Sequence, residues 1–266
     1  MRSAAIKRQG VRLLLAALLS ALAGCESGAD RALEETFEQT YRIEPTANIT
    51  LLNGDGAVFV YGSNKSEMRV RATKRAYTRE RLKQIAVNVS IQPSSVSINT
   101  KFPPKPKWAL LDRSGTVDYT VVVPATVSLA RLELSGGEVV VDGMRGRKTD
   151  ARLRSGRMFA RNCFGNVALT LDRGTLILAY DWWEPGKFAI QANIGDGNAW
   201  AFLPDDTICH LIAETEHGKI GNDFEEPAQR TAKEISRVDM LIQGGGEAAV
   251  IMRAKEGNIK IVNANP

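Results

Sequence analysis

Histidine is almost missing from this chain. His210 and His217 are the only two in 266 residues. Their scarcity removes the usual general base of nucleophilic hydrolysis and the commonest zinc ligand. Cys209, His210 and His217 also lack the paired spacing of a zinc site. Cysteine is nearly as rare, with Cys25, Cys163 and Cys209, too few for a disulfide scaffold. No apolar run reaches the roughly 20 residues that a membrane-spanning helix needs. The nucleotide-binding GxxxxGK[ST] pattern is absent, and neither Asn53-Gly-Asp-Gly56 nor Ile194-Gly-Asp-Gly197 has the downstream Glu of a calcium loop. Both read as tight β-turns. The acidic pairs Asp205-Asp206 and Glu225-Glu226 adjoin Pro204 and Pro227 in expected loops. A glycosidase instead needs two carboxyls facing each other across a cleft. No enzyme is indicated, and no catalytic residue, metal or cofactor is expected.

The N-terminus carries a different signal. Arg2, Lys7, Arg8 and Arg12 precede an apolar stretch, Leu13–Leu22, and no acidic residue occurs before Cys25. This is the layout of an export signal, a positive n-region followed by a short h-region. It closes on Leu22-Ala23-Gly24-Cys25, which resembles the lipobox of bacterial lipoproteins. That resemblance implies cleavage between Gly24 and Cys25, acylation of Cys25, and a membrane anchor through the N-terminal lipid. An ordinary secretory peptide with a coincident Cys is the alternative. Glu26, rather than Asp, follows the Cys, which favours the outer membrane in a Gram-negative cell. Loss of the four signal cations reduces the net charge from +5 to +1, so the basic composition supplies no case for nucleic acid.

Residues 25–40 are small and polar and read as a tether. From Tyr41 onward the pattern has period two, for example at Val87, Val89 and Ile91, at Val117, Tyr119, Val121 and Val123, and at Phe188, Ile190 and Ala192. Such alternation marks half-buried strands. One short helix is expected at residues 78–85, with Thr78 as cap and Glu80 in its first turn, and a weaker one at 226–234. Glycine followed by a short apolar strand recurs at Gly137, Gly156, Gly174, Gly197, Gly218 and Gly257. A spacing near 20 residues implies one supersecondary unit per repeat, buried only by stacking on its neighbours. The expected fold is therefore all-β, a β-solenoid or β-roll in a single domain over 41–266. A β-sandwich is the alternative. Cys163 and Cys209 fall at different offsets from the local turn and read as two small buried thiols.

The run Val117-Asp-Tyr-Thr-Val-Val-Val-Pro124, the glycine-strand repeats, and the closing Gly244-Gly-Gly-Glu-Ala-Ala-Val250 with Lys255-Glu-Gly-Asn-Ile-Lys-Ile261 resemble a bacterial family known as putative adhesins. The resemblance spans about residues 45–263 and implies an exported β-solenoid-like domain. It departs from the family where Arg-Ser-Gly, Asp-Arg-Gly and Glu-His-Gly replace the typical Asn-Gly turns.

Charge is unevenly distributed. Residues 145–161 hold seven cations against one acid, whereas 196–239 hold ten acids against four cations. Arg152 and Arg154 alternate with Ala151 and Leu153, which aims the arginines outward as a candidate surface for anionic lipid, a glycan or an acidic envelope protein. A solvated face is the plainer alternative. Trp182 and Trp183 stand before Pro185; neighbouring strand residues point to opposite faces, so one of them is expected at the surface. Two functional readings follow: an anchored adhesion or interaction module, and an envelope-maintenance lipoprotein that self-associates through solenoid edges.

Overall fold

The computed structural model describes residues 32–104, 115–224 and 235–264. The signal region, Cys25 and the weaker helix expected at 226–234 lie outside these residues. Fifteen strands form one sheet. The first six are β1 (Leu33–Arg42), β2 (Asn48–Ser63), β3 (Glu67–Ala76), β4 (Ala86–Gln92), β5 (Ser95–Lys101) and β6 (Thr116–Pro124). Four long strands follow: β7 (Ser128–Asp142), β8 (Lys148–Arg161), β9 (Asn166–Ala179) and β10 (Ala189–Leu203). The last five are β11 (Cys209–His217), β12 (Ile220–Asn222), β13 (Arg237–Ile242), β14 (Ala249–Glu256) and β15 (Ile259–Asn263). The expected short helix is α1 (Arg79–Gln84). The Thr78 hydroxyl accepts the Arg81 N–H at 3.2 Å, Glu80 lies in the first turn, and Leu82 is buried. This is the arrangement that satisfies and stabilises a helix N-terminus.

Strands β2, β7, β8, β9 and β10 pair in parallel over most of their length. Parallel neighbours about 4.8 Å apart place like positions above one another. Leu51, Leu132, Ala151, Leu169, Ala192, Met252 and Ala213 form one such column by register, all fully buried or nearly so. Burying each Leu in it contributes roughly 1.5–3 kcal/mol. A second column runs Asn53, Leu134, Leu153, Leu171, Ile194, Ala254 and Thr215. Its interior members are aliphatic and its two ends are polar. Asn53 donates to the Val117 carbonyl at 2.8 Å and Thr215 to the Gly257 carbonyl at 2.8 Å. Polar side chains there occupy backbone acceptors where the column ends.

The glycines are not hairpin turns. Gly56, Gly137, Gly156, Gly174 and Gly197 lie inside continuous strands, with φ between 126° and 137°. The tight turns expected at Asn53–Gly56 and Ile194–Gly197 are therefore bends within β2 and β10. Each glycine sits directly on the next in register. A Cβ on Gly156 would stand 1.8 Å from the Gly137 carbonyl oxygen. Only glycine tolerates both that φ and that approach.

Sequence order and spatial order part at the far end. Strands β14 and β15 lie between β10 and the strands β11 and β12, with parallel pairing on both sides. Gly257 stacks on Gly197, and Gly218 stacks on Gly257. The 39-residue interval from Gly218 to Gly257 thus contains β13, antiparallel to β11, and a return into the stack. At the near end β3 pairs antiparallel with β6, and β1 with β3. Residues 33–40, expected as tether, are strand. Paired strand accordingly begins at Leu33, ahead of Tyr41. Most of β1 is exposed on both faces, so no apolar alternation marks it. Its carboxylates are matched across the strand pair instead: Glu34 opposite Arg75, Glu35 opposite Lys74 and Glu38 opposite Arg71. No helix among the described residues is long and apolar enough to cross a membrane.

Candidate functional site

Arg152 and Arg154 point outward from β8, as their alternation with buried Ala151 and Leu153 requires. They do not form a free cationic row. Arg152 lies between Glu133 and Thr170 by register. Its Nε is 3.6 Å from Asp150 Oδ1, while Lys148 Nζ is 2.9 Å from Asp150 Oδ2. Arg154 lines a shallow depression of about 340 Å³ with Glu133, Thr170 and Asp172. Acids therefore stand among both arginines.

Cations also gather toward the start of the same strands, where Lys148 pairs with Asp150 and Arg145 with Glu184 while no ion pair is found for Arg147 or Lys187 among the described residues. A groove of about 900 Å³ is lined by Arg145, Arg147, Lys148 and Lys187, with Thr46, Asn48, Ser128 and Asn166 between them. No carboxylate is among the described residues that line it. Asn48, Ser128, Lys148 and Asn166 come from four successive strands, so side chains of four rungs share this corner. Arg145, Arg147, Lys148 and Lys187 are all exposed. Lys187 lies 39 residues beyond Lys148, a distance across which clustering by sequence cannot be seen.

The groove adjoins an aromatic cluster. Phe164 meets Tyr180 edge-on at 5.3 Å and Trp183 at 6.3 Å between centroids, and Tyr180 meets Trp183 at 5.4 Å. Trp183 is buried, and its Nε1 donates to the Ile208 carbonyl at 3.0 Å. Trp182 is 44% exposed. The expected split between the two rings holds, with Trp182 outward. Arg145 connects the ring to the groove. Its guanidinium lies 5.1 Å from the Phe164 centroid and bonds Glu184, whose other oxygen accepts Trp182 Nε1–H at 2.8 Å. The Arg145 bond is the first cause holding the Glu184 carboxyl below its ordinary pKa.

The turn carrying the tryptophans is set by Asn162. This residue has φ of 49°, and its amide oxygen accepts the Asp181 N–H at 2.9 Å. In return its Nδ2 donates to Asp181 Oδ2 at 2.9 Å. Arg161 Nε donates to the same oxygen at 2.9 Å. Bonds from Arg161 and then Asn162 hold the Asp181 carboxyl below its usual range. Asn tolerates the left-handed backbone because its short amide bonds locally.

The remaining reactive side chains are dispersed. His210 Nε2 lies 2.7 Å from Asp239 Oδ1 on the surface of the β11–β13 pair, and His217 Nε2 is 3.9 Å from Glu256. Both pairs are exposed to solvent. Cys163 and Cys209 are free and buried. Burial pushes each thiol up to about 12, which makes both poor nucleophiles.

No family model matches this sequence, and neither does any curated protein. Solved structures do resemble it. A putative cell adhesion protein from Clostridium sporogenes is similar at TM-score 0.51 and 13% identity, covering 86% of this chain and 100% of that one. A putative lipid binding protein from Parabacteroides distasonis gives TM-score 0.29 at 10% identity, covering 86% of this chain and 97% of that one. A putative adhesin from Bacteroides fragilis gives TM-score 0.26 at 10% identity with the same coverage. The first of these likenesses extends to the fold; at such identity it extends no further.

Proposed function

We propose that this chain is an exported, lipid-anchored, non-enzymatic module of the adhesin-like class, which presents a β-solenoid at the bacterial cell envelope and binds an anionic glycan. The solenoid reading draws on the in-register parallel rungs and the column of stacked glycines. The anchor reading draws on the signal layout ending at Cys25. One observation carries the binding role: a groove lined by four cations, of which Arg145 and Lys148 also pair with Glu184 and Asp150, near an exposed Trp182. Lysine and arginine meet acidic sugar substituents, asparagine and serine supply neutral hydrogen bonds, and an indole face suits a sugar ring.

Two measurements test this. Intact mass and membrane fractionation of the protein and of Cys25→Ser test the anchor. A processed, acylated membrane form that the variant loses supports it; identical behaviour of the two overturns it. Titration with sulfated or uronic-acid oligosaccharides tests the groove. Arg147→Glu with Lys187→Glu is expected to weaken binding by about tenfold or more at low salt, while neutral oligosaccharides bind poorly to every form. Unchanged affinity in the double variant rejects the groove.

A second reading, self-association through the end of the stack, draws on Leu241. This residue is 58% exposed on β13, the last strand in the sheet order. Concentration-dependent sedimentation that Leu241→Lys abolishes would favour it.

A further inference from the structure

The proposed anchor at Cys25 lies close in sequence to β1. Leu33, the first residue of β1, stands eight residues after Cys25. Eight residues reach at most about 28 Å when fully extended. If Cys25 is acylated, as proposed above, the β1 end of the sheet is held at the bilayer surface. Ten strand intervals of about 4.8 Å separate β1 from β13 along the sheet order.

The side chains beside Leu33 suit an interfacial surface. Leu33 pairs in register with Ala76, and Tyr77 is the next residue. Leu33 is 37% exposed and Tyr77 48%, two of the few large apolar side chains exposed among the described residues. Helix α1 follows at once and packs on β3 and β1. It buries Leu82 and turns Arg79 and Lys83 to solvent. Glu80 is its only carboxylate. Nearby Glu34 and Glu35 are engaged, by Arg75 at 2.6 Å and Lys74 at 2.8 Å. The neighbouring β1 carboxylates are thus ion-paired, while the Arg79 and Lys83 side chains are exposed.

We propose that Leu33, Tyr77, Arg79 and Lys83 form a docking face for an anionic lipid surface, laying the β1–α1 end of the domain against the headgroups. Tyrosine places its ring among headgroups and its hydroxyl in water. Lysine and arginine at such a surface attract anionic lipids, each with a strength that corresponds to about fivefold in affinity.

The test uses the chain from Glu26 onward, so that neither the signal nor an acyl group contributes, and vesicles of phosphatidylglycerol with phosphatidylcholine or of phosphatidylcholine alone. Sedimentation is expected to show binding to the anionic vesicles and little to the neutral ones. Arg79→Ala and Lys83→Ala should each weaken it about fivefold, and Tyr77→Ser should weaken it further, with thermal unfolding unchanged. Equal binding to both vesicles, or full binding by the Arg79→Ala/Lys83→Ala variant, overturns the docking face. The mass of the native N-terminus keeps the two proposals apart. An unacylated Cys25 with charge-dependent vesicle binding sinks the anchor and leaves the face; an acylated Cys25 with indifferent variants does the reverse.

Discussion

The central rungs have two corners of opposite character. At one, Gly56, Gly137, Gly156, Gly174 and Gly197 stack so closely that no side chain fits between their backbones. At the other, the connections between β7 and β8 and between β9 and β10 carry Arg145, Arg147, Trp182 and Lys187, with Lys148 at the start of β8, and all five are exposed. The first corner leaves the chain no choice of residue, because the hydrogen-bond ladder runs through the bend. The second only has to return the chain to register. Chemistry collects where the fold makes the fewest demands, as it does on loops carried by rigid scaffolds.

Breaking the first corner should have the largest effect. Gly156→Ala combines a φ of 137° with a Cβ 1.8 Å from a backbone oxygen, and it is expected to cost more than about 4 kcal/mol. Thermal unfolding and soluble yield read this directly. Gly186→Ala, in the connection after Trp183, is the matched control. Its Cβ would meet only the Phe188 ring, at 3.3 Å, so it should cost less than about 1 kcal/mol. Similar losses at both positions would erase the contrast between the corners.

The paired tryptophans sharpen the comparison within the open corner. Trp183→Ala removes a buried ring from the cluster with Phe164 and Tyr180, and about 3 kcal/mol is expected from cavity formation. Trp182→Ala should change stability by less than about 0.5 kcal/mol while weakening glycan binding. Chemical denaturation beside a binding titration separates the two. Next in size is Asn162→Ala, which loses the tolerated left-handed backbone and the reciprocal bonds to Asp181, at about 1–2 kcal/mol. Asn162→Gly should recover part of that loss by restoring the backbone freedom.

Much of the fold was legible from glycine spacing and strand alternation, because both arise from local backbone geometry. The order of the last rungs was not. Parallel pairing gives no local sign of partner, so the placement of β14 and β15 between β10 and β11 is invisible until the chain is folded. Strand β1 was hidden for another reason: its cross-strand partners are ion pairs, and Glu34, Glu35 and Glu38 read as a solvated tether. For the candidate site, alternation at Arg152 and Arg154 was a true signal of direction, but Asp150 and Glu133 lie among them. The cationic groove joins residues 145–148 to Lys187, which only the pairing of the strands brings together.

The smallest predicted effect is a pH dependence with two opposing signs in one corner. The Asp181 carboxyl is held below its ordinary range by Arg161 and Asn162. Its stabilisation is therefore complete above the unfolded-state pKa and is lost as pH falls through the lower folded-state value. Asp142, the last residue of β7 and opposite Arg161 in register, is raised, mainly by burial. Its ionisation costs stability at neutral pH, and that cost is relieved as pH falls through its raised folded-state value. Acidification from neutral should therefore first raise the melting temperature slightly and then lower it. The Asp181 side chain is 42% exposed, so solvent screening limits its share to less than about 1 kcal/mol. Asp142→Asn should remove the rise and Asp181→Asn the part of the fall that belongs to this turn, each leaving the other limb in place. A profile with neither limb altered would mean that these carboxyls do not couple to folding, and that the left-handed backbone of Asn162 holds the tryptophan turn without them.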